Sequence, residues 1–235
     1  MHIPLLTARL RRRAAAPPAV RVPPAYAMRR VASREDWAAV RALRFAALAH
    51  HQDIPGDATR AFVDGHDARA GTTTFLLSRD GAPHASTRAS VAAAGEPGTL
   101  PAVLAFPREI ERLAAAGRVV EASLTVVDPA VTDVPTAIFH LYRAHMLACA
   151  ATGAEWLVTA VRDTQIGFYR RVFDMEILTG AERMPGLGAP RVLMGLRPGE
   201  QAERLGRRIP LLVVAAADAR RFEDEAVVTF EPPCA

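Results

Sequence analysis

The sequence predicts a mixed α/β fold in which helices and strands alternate along the chain. Two observations carry this prediction. A helical pattern is followed by a β-hairpin pattern, and apolar strand-like runs then alternate with helical ones. The chain has 235 residues and is 50% apolar, which suits one core with terminal additions or two very small domains.

The early elements have clear local signals. Ser33 stands three residues before Asp36, a plausible capping box, and apolar residues then recur at helical spacing to about His50. Two runs rich in β-forming residues over 72–91 flank an Asp-Gly pair, which predicts a tight hairpin turn. The segment "FPREIERLAAAG" predicts a short helix that ends at Gly117, because glycine is favoured just after a helix.

The segment "RVVEASLTVVDP" (118–129) is the best strand in the chain. Strict alternation places Glu121, Ser123 and Thr125 on one face and leaves the other face entirely apolar. A carboxylate and two hydroxyls in a row at the centre of a sheet are costly to bury unless that face opens to a cleft. The strand therefore predicts a functional cleft beside Glu121.

The later elements complete the alternation. A helix is predicted from Asp133 to about Gly153, followed by the strand "EWLVTAV", the short helix "QIGFYRRVF" and the strands "MEILTG" and "RVLMGL". In the short helix, we expect Phe168 and Phe173 to anchor the helix to the sheet. We expect Tyr169 to point at the cleft.

The domain prediction has three parts. Residues 1–27 combine an arginine cluster with an Ala/Pro run and predict a disordered arm, so that Met28 could be the true start codon. Residues 28–197 form the predicted folded domain. Residues 198–235 form a C-terminal extension to which the sequence assigns no role.

Composition excludes several classes of function. All 29 basic residues are arginines spread along the chain and the net charge is only +4, so no nucleic-acid partner is predicted, although an acidic partner fits. No apolar run reaches the roughly 18–20 residues of a membrane helix, so no membrane span is predicted. Two cysteines without ligand spacing predict no metal site and fit a reducing cytoplasm.

Several segments together resemble the GNAT acyltransferase superfamily. Within it, the chain resembles the branch that holds the N-acyl amino acid synthases (FeeM-type) and the acyl-homoserine-lactone synthases. The segments are "VRALRF" (40–45), "DGHD" (64–67), Arg88, "EASLTV" (121–126) and "GFYRRVF" (167–173). The resemblance implies a GNAT-like central mixed sheet, mostly antiparallel, with splayed parallel strands and helices on both faces.

The resemblance also implies a reaction. An acyl group would move from a thioester on acyl carrier protein or coenzyme A, a co-substrate rather than a bound cofactor, to the amine of an amino-acid-like acceptor. Glu121 would act as the base that deprotonates the amine, and Tyr169 would protonate the departing thiolate. A backbone N–H of the splayed strand, near Leu124–Val126, would bind the tetrahedral oxyanion.

The same resemblance implies an acceptor side. Arg44, Asp64, Asp67 and Arg88 match positions that shape this side in the branch, and Ser123 belongs to the same strand motif as Glu121. Carboxylates hold an ammonium group and a guanidinium holds a carboxylate, so the set suits an amino acid.

Two departures from the superfamily pattern refine the expectation. The segment "DPAVTDVP" has no glycine where the superfamily usually carries its pyrophosphate loop, which favours a carrier-protein donor over acetyl-coenzyme A. Leu124 follows Ser123 where the branch often has an arginine, which disfavours homoserine-lactone synthesis.

Purely structural roles for the candidate site residues, and other functions for the protein, remain open at this point. Glu121 could pair with an arginine, Tyr169 could only pack, and Arg88 could form a structural ion pair with Asp67. Besides an acyltransferase with an apolar tunnel lined by helix residues such as Ile138, Leu141 and Met146, two functions fit the sequence. They are an acetyl-coenzyme A-dependent N-acetyltransferase of small amines and a non-catalytic binding domain.

Overall fold

The computed structural model describes residues 26–54, 61–215, 217–219 and, for the backbone alone, 227–229. The elements in chain order are β1 (Tyr26–Arg30), α1 (Arg34–His50), β2 (Thr72–Arg79), β3 (Ala82–Ala92), α2 (Pro107–Ala116), β4 (Val119–Val127), α3 (Val134–Thr152), β5 (Trp156–Val161), α4 (Asp163–Phe173), β6 (Glu176–Glu182), β7 (Arg191–Leu196), α5 (Pro198–Arg208) and β8 (Val227–Thr229). Short 3₁₀ turns lie at His66–Ala68, Pro101–Leu104 and Pro210–Leu212.

The strands form one sheet of eight, in the order β6-β7-β5-β4-β3-β2-β1-β8. Among the described strands, β4 and β5 are the one parallel pair, and the other neighbours run antiparallel. Helices cover both faces. The predicted fold class, a mixed and mostly antiparallel sheet with a parallel pair, is confirmed.

Each face of the sheet has its own helices. On one face, α1 packs on Leu76 and Val126, and α2 packs on Val119 and Val158. On the other face, α3, α4 and α5 share a core with residues such as Val120. These two sides are called the α1/α2 side and the α3/α4 side below.

Local signals placed most elements correctly. The Ser33 hydroxyl accepts a hydrogen bond from the Asp36 N–H at 3.0 Å and begins α1, as the capping pattern predicts. The hairpin turns at Asp80 and Gly81, both with positive φ (51° and 82°), as a tight two-residue turn requires. Gly117 follows the end of α2.

The ends of the chain add to the fold beyond what the patterns indicated. The arm predicted over residues 1–27 lies outside the described residues up to residue 25, and Tyr26 opens β1, a strand the sequence did not indicate. Described residues after β7 also pack against the core and pair with the sheet. Leu205 of α5 and Leu212 pack into the core beneath α3, and β8 pairs with β1 at the sheet edge.

The parallel pair splays in mid-sheet. Pairing between β4 and β5 ends at Ala122 and Thr159, although both strands continue. Just beyond this point Leu124 has a φ of +47° and lies in a β-bulge against β3. The bulge and the lost pairing together open a gap in the sheet at the middle of β4.

The bulge also corrects one expectation. The prediction that Thr125 shares a face with Glu121 is wrong, because one extra residue in β4 interrupts the alternation. The Thr125 hydroxyl hydrogen-bonds Thr87, which contacts α3, while Val126 packs against α1. The polar row on the α1/α2 side therefore ends at Ser123.

Candidate active site

A cavity of about 670 Å³ occupies the gap between β4 and β5 and reaches both sides of the sheet. Asp64, Arg88 and Glu121 line it on the α1/α2 side, and Ile138 and Tyr169 line it on the α3/α4 side. The splay is what joins the two halves, since paired strands would separate them. The cleft that the sequence predicted beside Glu121 is present.

Glu121 is fully buried at the floor of this cavity. Its Oε2 accepts a hydrogen bond from the Ala102 N–H at 2.8 Å, and Oε1 has no hydrogen-bond partner among the described residues. Burial raises the pKa of Glu121 to about 7, against the smaller opposing effects of the Ala102 N–H and of Arg88. The group can thus exchange a proton near neutral pH.

Arg88 and Asp64 form the wall next to Glu121. Arg88 Nη1 donates to both Asp64 carboxylate oxygens at 2.7 and 2.8 Å, and Nε donates to the Ser123 hydroxyl at 3.0 Å. The ion pair that the sequence allowed between Arg88 and Asp67 is also present, at 3.6 Å, but it is the longer of the two.

Arg44 and Asp67 stand behind this wall and do not line the cavity. Arg44 is fully buried, and its Nη1 and Nη2 donate to the two Asp67 oxygens at 2.6 and 3.0 Å. Thr74 of β2 donates to Asp67 Oδ1 at 2.9 Å. The Arg44 guanidinium lowers the pKa of Asp67, so this carboxylate stays ionised and neutralises the buried charge, although burial acts against it.

Tyr169 lies on α4 with its side chain 6% exposed, and it lines the cavity. Its ring centroid is 5.8 Å from those of Phe173 and Tyr142. Burial raises the pKa of the Tyr169 hydroxyl, which therefore keeps its proton at neutral pH. Phe173 is buried and Phe168 partly buried against the core, as expected for the anchors of this helix.

The backbone of β4 borders the cavity between the two walls. Leu124 and Val126 both line it, and the register with β3 omits Leu124 and Thr125. On α3, Ile138 lines the cavity as expected. Leu141 and Met146, expected beside it, are core residues that do not reach the cavity.

Sequence reasoning missed several groups at this site. His66 lines the cavity from a 3₁₀ turn, and its Nδ1 has no hydrogen-bond partner among the described residues. Asp53 lies 3.1 Å from Arg162 and 2.7 Å from Arg191, which ties the end of α1 to α4 and β7 at the cavity rim. His66 lies in the segment "DGHD", so the sequence held a signal for it, whereas Asp53 is placed by contacts distant in sequence and had none.

The mixed sheet with one splayed parallel pair is a GNAT-like fold, and a cavity lined by Glu121 and Tyr169 lies in the splay. The family model "N-acyl amino acid synthase FeeM" matches residues 39–197, more than half of the chain. The chain belongs to this family and is an N-acyltransferase that forms N-acyl amino acids. Family membership thus favours the first of the three functions that the sequence left open.

Solved structures show the same fold. FeeM, an N-acyl amino acid synthase from uncultured soil microbes, is 14% identical with a TM-score of 0.64, over 77% of this chain and 94% of that chain. The acyl-homoserine-lactone synthase LasI is 14% identical with a TM-score of 0.54, over 73% and 88%. An acyl-coenzyme A N-acyltransferase from Pseudomonas aeruginosa is 15% identical with a TM-score of 0.52, over 73% and 98%.

A comparison with curated proteins found no match. Within the described residues, no helix combines the length and the apolar character that a membrane crossing requires.

Proposed function

We propose that the chain transfers an acyl group from a carrier-protein thioester to the amine of an amino acid within the splay of β4 and β5. One observation carries this proposal: Glu121 and Tyr169 line the same cavity from opposite sides of the sheet. An amine can then approach from the α1/α2 side while the thioester enters from the α3/α4 side. The thioester carbonyl carbon would lie between them, beside the β4 backbone.

Glu121 acts as the base in this proposal. It takes a proton from the acceptor ammonium, directly or through water, and the free amine attacks the thioester carbonyl carbon. Backbone N–H groups near Leu124–Val126 bind the resulting oxyanion. When the C–S bond breaks, Tyr169 gives its proton to the departing sulfur and regains one as the new amide nitrogen loses its second proton.

The acceptor is held by Asp64 and Arg88. Asp64 borders the cavity next to Glu121, where its carboxylate attracts an ammonium group. Arg88 lines the cavity beside Glu121, and its guanidinium is the group we assign to the acceptor carboxylate. Arg44 and Asp67 do not touch the acceptor but hold this wall in place from behind.

The donor side favours a carrier protein over coenzyme A. Before α3, Asp128 in the loop after β4 accepts from the Ala130 N–H at 2.9 Å, and Asp133 at the helix start accepts from the Thr136 N–H at 3.4 Å. A pyrophosphate at this helix start would meet two carboxylates in place of free N–H groups. A carrier protein delivers its acyl group without a pyrophosphate at this place.

The reaction is tested by mass spectrometry of lipid extracts from a heterologous host that expresses the full chain. We expect a new N-acyl amino acid with the wild type and strong reduction with Glu121→Gln and Tyr169→Phe. Both variants keep the side-chain shape, and glutamine still offers an oxygen to the Ala102 N–H. An equal yield from Glu121→Gln would contradict the role of Glu121 as base.

The donor is tested with purified protein and a mixture of the twenty amino acids. The same long-chain acyl group is supplied either on holo acyl carrier protein or on coenzyme A. We expect a higher kcat/KM with the carrier protein. Faster turnover with the coenzyme A thioester would overturn the donor assignment and leave the reaction class intact.

A further inference from the structure

Three polar side chains form a chain from the core of the α3/α4 side to the cavity. His145 Nε2 lies 2.9 Å from Thr87 Oγ1, and Thr87 Oγ1 lies 2.7 Å from Thr125 Oγ1. His145 and Thr87 are fully buried, while Thr125 is half-buried and lines the cavity. The mechanism above uses none of the three.

The direction of this chain follows from the imidazole. Burial lowers the pKa of His145 to about 3, so the ring is neutral and carries one proton. His145 Nδ1 has no hydrogen-bond partner among the described residues. A proton on Nδ1 would be a buried donor without an acceptor, a rarer and less favourable state than an unmatched acceptor. The proton therefore belongs on Nε2, which donates to Thr87.

The hydroxyl hydrogens then have a fixed order. Thr87 Oγ1 accepts from His145 Nε2, so its own hydrogen is free to donate to its other partner, Thr125 Oγ1. The hydrogen of Thr125 is left over at the end of the chain. Since Thr125 lines the cavity, this hydrogen is offered to whatever occupies the splay.

The β4 bulge determines which half of the cavity receives this donor. Without the extra residue at Leu124, Thr125 would lie on the same side as Glu121 and Ser123, where the acceptor is expected. The bulge turns Thr125 towards α3 instead, onto the side of Ile138 and Tyr169. A hydroxyl donor in that half meets the acyl donor and not the amine.

We infer that Thr125 binds the acyl donor by donating a hydrogen bond from its hydroxyl to a carbonyl oxygen of the thioester arm, and that Thr87 and His145 orient this hydroxyl. Thr125 is thus a substrate-binding residue, and Thr87 and His145 are positioning residues that act through it. This inference rests on the proposed function, because it takes the α3/α4 half of the cavity as the donor side.

The first test measures Thr125→Val and Thr125→Ser with long-chain acyl carrier protein as the donor and the amino acid identified in the product. We expect Thr125→Val to lower kcat/KM for the donor about tenfold, with the acceptor KM unchanged. Thr125→Ser, which keeps the hydroxyl, should stay near the wild type. A fall in kcat would assign the bond to the thioester carbonyl, and a rise in donor KM alone would assign it to an amide carbonyl of the arm.

Two results would overturn the role of Thr125. One is an unchanged donor kcat/KM in Thr125→Val, and the other is an effect confined to the acceptor KM. If wild-type protein forms no N-acyl amino acid at all, the proposed function fails instead. If Glu121→Gln is inactive while Thr125→Val equals the wild type, only the present inference fails.

The second test asks whether His145 acts through Thr125. His145→Leu removes the donor, His145→Gln keeps an amide N–H₂, and Thr87→Val replaces a single hydroxyl by a methyl group. We expect His145→Leu and Thr87→Val each to lower donor kcat/KM several-fold in the wild-type background and to have no further effect in Thr125→Val. Partial recovery is expected with His145→Gln. Equal losses in both backgrounds, for Thr87→Val as for His145→Leu, would show that these residues do not act through the Thr125 hydroxyl.

Discussion

At the scale of single residues, Glu121 shows how the fold tunes a carboxyl group. It has one hydrogen bond, from the Ala102 N–H, where an exposed carboxylate would have several with water. Desolvation therefore dominates, and its pKa rises to about 7. A base with this pKa is ionised in half of the molecules at neutral pH and can release the proton it has taken.

The raised pKa predicts the pH dependence of the reaction. Since the base must be ionised, kcat/KM for the acceptor should rise with pH through an apparent pKa near 7 and level off above it, until other groups titrate. Initial rates of the purified wild type across pH 5.5 to about 8.5 measure this. The low activity left in Glu121→Gln should not show this rise of kcat/KM near pH 7. A rise that persists in the variant would assign the titration near pH 7 to another group.

The raised pKa of Glu121 also makes the free energy of unfolding depend on pH. Because its pKa is higher in the folded protein than the ordinary 4.5, the stability that Glu121 contributes is present below about pH 4.5 and is lost as pH rises through about 7. Denaturant titrations of the wild type and Glu121→Gln at both ends of this window should show a relative loss of about 3 kcal/mol in the wild type. If the difference in the free energy of unfolding between wild type and Glu121→Gln is the same at both pH values, Glu121 is not a buried ionisable group.

Residue identity was predictable only in part. The alternation in β4 and the resemblance of "EASLTV" singled out Glu121 and Ser123. His66 lies within the quoted segment "DGHD" but was not singled out, and nothing in the sequence indicated that the Ala102 N–H would bond Glu121. Both belong to 3₁₀ turns whose position depends on the packed sheet.

At the scale of elements, the wall behind the acceptor side is held by ion pairs between α1, the 3₁₀ turn at His66–Ala68 and the sheet. Arg44 joins α1 to Asp67, and Thr74 joins Asp67 to β2. A buried guanidinium is tolerated only when its charge is matched, so loss of either partner would leave the other charge uncompensated. The wall depends on this pair even though neither residue reaches the cavity.

Removal of one partner should therefore cost stability. We expect Arg44→Leu to lower the free energy of unfolding by about 3 kcal/mol, because Asp67 keeps a partly buried charge without its partner. Arg41→Leu on the exposed face of the same helix is the matched control and should change it by less than about 0.5 kcal/mol. Equal effects in denaturant titrations would mean that the pair does not stabilise this wall.

Elements were more predictable than their irregularities. The capping residue Ser33 predicted α1, and the Asp-Gly pair predicted the hairpin. Gly117 predicted the end of α2. The bulge at Leu124 could not be predicted from the sequence, because leucine does not favour positive φ. The surrounding sheet imposes that conformation, and it is the bulge that separates Thr125 from Glu121.

At the scale of the whole molecule, the described residues that follow β7 pack against the rest of the domain. Arg143 of α3 donates to the carbonyl oxygens of Leu211 and Val213 and pairs with Asp218 at 2.8 Å. These contacts hold the segment after α5 against the helix, on the side of the sheet where Tyr169 lies. Sequence patterns could not place it, because its apolar residues show neither helical nor strand periodicity over a useful length.

This attachment predicts the effect of breaking it. Arg143→Leu should lower the free energy of unfolding by about 2 kcal/mol, because the charged hydrogen bonds of the half-buried Arg143 to two carbonyl oxygens and to Asp218 are lost. Hydrogen exchange should also rise over residues 209–215 in the variant. Arg207→Leu, whose partner Glu203 is itself exposed, is the control. Unchanged exchange over 209–215 would mean that Arg143 does not hold the segment.

The central claim is that acyl transfer takes place in the gap between β4 and β5. The most direct measurement is a crystal structure of the full-length Glu121→Gln protein with a long-chain acyl thioester and the acceptor amino acid. We predict the thioester carbonyl within reach of the β4 backbone near Leu124–Val126, the acceptor amine beside residue 121 and the sulfur on the side of Tyr169. A thioester bound elsewhere, with the gap empty or filled by side chains, would contradict the account.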